Sequence, residues 1–107
     1  MAKKFVISFH RNGENVHLKL VGDFDKSSAC DLLEALNKYG HGTSRIFIHT
    51  NSLNKVHPFG LRMFHENLKL PGGSSLKLIF TGDNYYRFLL EPRSALNSNI
   101  SAMTATS

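Results

Sequence analysis

The alternation of apolar and polar positions first marks a hairpin. Phe5-Val6-Ile7-Ser8-Phe9-His10 is apolar and β-prone, and Val16-His17-Leu18-Lys19-Leu20-Val21 alternates apolar with polar residues. A period of two marks a half-buried strand, so Val16, Leu18 and Leu20 share one face while His17 and Lys19 share the other. Arg11-Asn12-Gly13-Glu14 lies between the runs, and Asn-Gly favours a tight turn. Gly22-Asp23-Phe24-Asp25 breaks the second strand. A helix is predicted from Ser27 or Ser28 to Tyr39, because Ala29, Leu32, Leu33 and Leu36 recur at helical spacing. Ser28 with Asp31 fits a capping box, and Asp25 offers an earlier cap. Gly40 or Gly42 supplies a left-handed stop.

Arg45-Ile46-Phe47-Ile48-His49-Thr50 reads as a third strand. Ile46 and Ile48 point one way and Phe47 the other, the pattern of a central strand covered on both sides. Asn51 to Val56 reads as a polar loop anchored by Leu53 and Val56. Pro58 suits a first helical turn, and Leu61, Phe64 and Leu68 continue as a stripe flanked by Met63. Pro71-Gly72-Gly73-Ser74 ends that helix. Leu76 to Phe80 forms a fourth strand, closed by Thr81-Gly82-Asp83. Asp83 caps a last helix through Tyr85, Phe88, Leu89 and Leu90, which Pro92 interrupts. Residues 97–107 read as a flexible tail. The order β-β-α-β-α-β-α predicts one small α/β domain over residues 1–96. Its sheet is mixed and four-to-five-stranded, with helices mostly on one face.

A chain of 107 residues buries a core without needing staples. Its single cysteine, Cys30, excludes an internal disulfide framework and a Cys-based zinc site. Lying beside the apolar stripe of its helix, Cys30 is expected in the core. The apolar stretch Phe5–Phe9 is too short for a signal segment, and no run approaches the roughly 18 residues of a membrane span. A cytoplasmic protein without membrane insertion is therefore expected. The 13 Lys+Arg against 8 Asp+Glu give a net charge of +5. These cations are dispersed along the chain, with no cluster beyond Lys3-Lys4, so nucleic acid is not an expected partner.

Candidate chemistry is sparse. His41, His49, His57 and His65 fall eight residues apart, a period of neither helix nor strand. His49 and His57 flank one predicted loop and could approach each other. No third ligand is evident, so no metal is expected, and a pH-sensitive contact fits better. Gly72-Gly73-Ser74-Ser75 leads into a strand and lacks the Gly-Lys-Ser/Thr ending of a phosphate loop. Asp23 and Asp25 lack a third catalytic group. Tyr85-Tyr86-Arg87-Phe88 reads as a half-buried helical face. No enzyme site and no cofactor site emerge, which favours a binding module.

The residues resemble a known family. Val16-His17-Leu18-Lys19-Leu20-Val21-Gly22-Asp23-Phe24-Asp25 looks like the second strand and following turn of STAS domains, the anti-sigma factor antagonist family. The stretch from Arg45 through His57-Pro58-Phe59-Gly60-Leu61 resembles the strand, loop and helix start that carry the family's signature. The resemblance spans about Phe5 to Leu90. It implies a non-catalytic domain acting by protein–protein contact, with an anti-sigma factor or related kinase as partner.

The departures from the family are chemical. The signature reads Asp-Ser-Ser/Thr-Gly-Leu, and the strand before it commonly ends in Asp. Here His57 and His49 replace the two acids, and Pro58 stands where phosphorylated members carry the acceptor serine. Proline has no hydroxyl, so phosphorylation at the usual position is impossible. Thr50 and Ser52 are the nearest alternative acceptors. Phe59 is either an exposed anchor or part of the core. The resemblance places a partner surface at Asp23, Asp25 and Ser27, at Asn51, Lys55, His57 and Phe59, and at Arg62 and Glu66 on its rim. Two other roles fit the same residues. One is an accessory subunit of a membrane lipid transporter. The other is a small-molecule or nucleotide sensor, with a pocket lined by His49, Asn51 and His57.

Overall fold

In the computed structural model, which describes residues 5–69, 76–89 and 100–102, the hairpin sets the register of everything after it. Strands β1 (Phe5–Asn12) and β2 (Asn15–Phe24) pair antiparallel, with Asn12 opposite Asn15. Gly13 takes a φ of +67° between them, a conformation open to glycine at no steric cost. The remaining strands, β3 (Arg45–Val56), β4 (Lys77–Thr81) and β5 (Ile100–Ala102), are each parallel to their predecessor. The order is β1-β2-β3-β4-β5. Helices α1 (Lys26–Tyr39), α2 (Pro58–Asn67) and α3 (Tyr85–Leu89) fill the connections. A strand order that advances without reversal, joined by crossovers of one hand, places its helices on one face.

That face holds the core. Val16, Leu18 and Leu20 of β2, Ile46 and Ile48 of β3, and Leu78 and Phe80 of β4 are fully buried against Ala29, Leu32 and Leu36 of α1. Each such Val, Leu, Ile or Phe side chain contributes about 1.5–3 kcal/mol of burial. An aromatic cluster joins α2 and α3 to the sheet. Phe64 meets Phe80 and Phe88 edge-on at 6.1 and 5.9 Å, Phe88 stacks on Phe80 at 5.1 Å, and Phe24 meets Phe88 edge-on at 5.0 Å.

Several local expectations change. The second strand does not break at Gly22 but runs on to Phe24, and the predicted loop from Asn51 to Val56 is the second half of β3. Two register shifts between these strands absorb the mismatch, and Gly22 takes a φ of +107° there. The strand β3 is central, yet the described helices cover only one of its faces. Phe47 is half-buried on the other, among histidines. The helix α1 starts at Lys26, with Asp25 as its cap. Ser28 stands inside the first turn rather than at the cap, so no capping box begins there, and it donates its hydroxyl to the Asp23 carbonyl at 2.7 Å. Cys30 is exposed, because it lies one position off the stripe, and its Sγ approaches Met63 Sδ at 3.7 Å. Within the segment expected as a tail, Ile100–Ala102 pair with β4, whose outer edge offers unpaired backbone groups. The expected turn at 71–75, Leu90, Pro92 and the rest of the tail lie outside the described residues.

Candidate functional site

The end of β2 and the start of α2 meet. Asp25 caps α1, accepting the backbone N–H of Ser28 at 2.9 Å and the Ser27 hydroxyl at 3.0 Å, while the Ser28 hydroxyl, donating to the Asp23 carbonyl, lies 3.0 Å from the same carboxylate. Ser28 itself is buried in that turn. The His57 N–H donates to the Phe24 carbonyl at 2.8 Å, tying the approach to α2 to the same place. Gly60 then lies directly on the backbone of Asp25: a Cβ built on it would stand 2.7 Å from the Asp25 carbonyl carbon. Only a glycine permits that approach, a requirement that the sequence analysis missed. So the structure brings Asp23, Asp25 and Ser27 beside His57, Pro58 and Phe59.

At this junction α2 presents Pro58 as its first residue and no side-chain cap from His57. Phe59 follows with 66% of its surface exposed, which removes it from the core. Lys55 is exposed and lies opposite Asp23 in the strand register. One turn into α2, Arg62 and Glu66 approach at 3.6 Å on a fully hydrated surface. Such a pair contributes a few tenths of a kcal/mol and shapes the rim rather than the stability.

Other residues expected at the site serve elsewhere. The Asn51 carboxamide accepts the Asp83 N–H at 2.9 Å and so holds the turn after β4. Thr50 is fully buried; its hydroxyl donates to the Thr81 carbonyl at 2.7 Å and accepts from the Asn84 N–H at 3.1 Å. A hydroxyl so enclosed is no phosphate acceptor. Ser52 is half-buried.

His49 and His57 do not approach each other. The continuous strand between them separates the two by about 26 Å, at roughly 3.3 Å per residue. The pocket expected from His49, Asn51 and His57 therefore does not form. A groove of about 450 Å³ lies instead between β1 and α1, floored by Phe5, Ile7, Phe9 and Tyr39.

His49 finds another partner, on the sheet face away from the helices. Its Nε2 lies 2.9 Å from His17 Nδ1, and its Nδ1 lies 2.7 Å from Thr81 Oγ1. The two histidine rings are within 2° of coplanar orientation. One hydrogen sits between the facing nitrogens, so the pair cannot be doubly protonated and keep this bond. Burial, followed by the charges of His17 and Lys19, pulls the His49 pKa below its ordinary value of 6.5. Among the described residues no three His, Cys, Asp or Glu side chains converge as metal ligands. Nor is any described helix long and apolar enough to cross a membrane.

No family model matches the chain, and no curated protein matches it with significance. Solved structures do. The anti-sigma factor antagonist SpoIIAA in its unphosphorylated form superposes with a TM-score of 0.62 at 13% identity, covering 95% of this chain and 89% of that one. An anti-sigma factor antagonist from Mycobacterium paratuberculosis superposes with a TM-score of 0.58 at 12% identity, covering 96% and 86%. At that identity the likeness is one of fold, and it extends over nearly the whole of both chains. The chain is a STAS-like α/β domain, with the fold of the anti-sigma factor antagonists.

Proposed function

We propose that this chain is a regulatory interaction module that docks an anti-sigma factor or related kinase through the junction of β2, α1 and α2. The docking needs no phosphate switch at Pro58. The observation that carries the reading is Phe59, 66% exposed on the first turn of α2 beside a hydrogen-bonded, capped turn. A large aromatic held in water by a fixed backbone suits an interface anchor, the residue type that dominates binding energy. His57, Lys55, Asp23 and Ser27 supply polar contacts around it, and Arg62 and Glu66 the rim. In this reading the protein works in a bacterial cytoplasm upstream of transcription, and it catalyses nothing.

The test uses the anti-sigma-factor kinases of the host as purified probes. Phe59→Ala is expected to weaken capture by at least about tenfold. Its melting temperature is expected to move by less than about 2 °C. If the variant instead loses the stability of a core phenylalanine, or if no kinase of the panel binds the parent, the reading fails. Phosphate labelling at Ser52 by one of these kinases would overturn the switch-free part of it.

A further inference from the structure

Strand pairing gathers onto one surface residues that are scattered in the sequence. The positions alternating with the buried core turn to the face that none of the described helices covers. The register arranges them in rows. His10, His17, Phe47 and Ile79 form one row across β1 to β4. Ser8, Lys19, His49 and Thr81 form the row on one side of it, and Asn12, Asn15, Arg45 and Lys77 the row on the other. Rows stand about 6.8 Å apart, two strand residues.

No Asp or Glu occupies any of these twelve positions. Lys19, Arg45 and Lys77 are all exposed. None has a carboxylate partner among the described residues; the Arg45 guanidinium reaches only the Asn15 carboxamide, at 3.5 Å. The dispersal of charge along the chain, which argues against a polyanionic partner, is undone by the fold.

Between the cationic rows stand the rings of His17 and Phe47, aligned with that of His49 in the Lys19 row. His17 stacks with Phe47 at 4.8 Å and 9°, and the His49 ring lies within 9° of Phe47 and 2° of His17. We infer that this open sheet face binds single-stranded nucleic acid, with phosphates on Lys19, Arg45 and Lys77 and a base extending the ring stack at Phe47 and His17. Cations alone would suit any polyanion. Parallel rings between rows of cations add a surface for unpaired bases, whose faces a duplex hides. The site is on the sheet face away from the helices and shares no residue with the proposed protein-docking junction.

The experiment is fluorescence anisotropy of a labelled oligouridine of about 12 nucleotides. Binding is expected at about 50 mM salt, with a log–log salt slope near −2 for three neutralised phosphates. Combined Lys19→Glu, Arg45→Glu and Lys77→Glu should cost at least about tenfold in affinity. Each single Ala variant should flatten the slope by about 0.7, which keeps the test usable if the triple variant misfolds. Phe47→Leu, which keeps an apolar side chain and removes the ring, should lose about fivefold or more. Lys38→Glu, on α1, should change nothing beyond the loss due to net charge. The inference is overturned if the oligonucleotide does not bind at low salt. It is equally overturned if Lys38→Glu weakens binding as much as Lys77→Glu, or if a duplex of the same length binds as tightly. Capture of phosphatidylserine vesicles in place of the oligonucleotide would assign the face to an anionic lipid surface and also overturn it.

Discussion

One sheet supports two unlike faces. Toward the helices, β2, β3 and β4 present Val, Leu, Ile and Phe side chains that are wholly out of water. Away from them, the intervening positions of the same strands present histidines, cations and one half-buried phenylalanine. Backbone and pairing are common to both, so the difference lies in the side chains and in what covers them. The first face provides stability through contact area. The second makes few contacts, and its residues interact by hydrogen bonding, ring alignment and charge. Sequence periodicity separates the two sets correctly, but it cannot say which set the described helices cover.

The sharpest way to break this comparison is to truncate a phenylalanine on each face. Phe64→Ala opens a cavity beside Phe80 and Phe88 and is expected to cost about 3–5 kcal/mol in denaturant unfolding. Phe47→Ala removes a ring from the open face and is expected to cost about 1 kcal/mol. Equal losses would mean that the open face is itself a core. Next in size, Gly60→Ala forces a methyl group against the Asp25 backbone, with an expected loss of about 1–3 kcal/mol. A loss near zero would show that α2 moves away freely and that the junction is not rigid.

The smallest effect concerns protons. His49 is held below its ordinary pKa by burial and then by positive neighbours, so folding favours its neutral form. In the window below 6.5 the unfolded chain binds the extra proton and the folded chain does not. The stability contributed is complete above 6.5 and is lost as pH falls through the lowered folded value. The melting temperature should therefore decline as pH falls below about 6.5, and His49→Gln should flatten part of that decline. An unchanged slope in the variant would remove His49 from the account.

Local signals were legible and long-range ones were not. Asn12-Gly13 gave the hairpin, and Ala29, Leu32 and Leu36 gave the buried stripe of α1, because each depends on neighbours within one turn. The second half of β3 was illegible. Asn51, Ser52, Asn54 and Lys55 are poor strand formers, and they become strand only because β2 continues beside them through two register shifts. The meeting of Asp23, Asp25 and Ser27 with the start of α2 followed from the family resemblance, whereas Gly60 against Asp25 emerged only from the packing. Phe59 could be named but not placed, since exposure at a helix start depends on what packs above it. The His17–His49 bond joins residues 32 apart, and only pairing in the sheet reveals it.

Pro58 opens α2 with a ring in place of a hydroxyl. Its fixed φ suits a helix start, so the residue that lacks an acceptor hydroxyl also supports the helix bearing Phe59. In the proposed role the occupancy of that surface is set by mass action between two molecules. A cell wishing to alter the signal would have to make more of the protein, or destroy it.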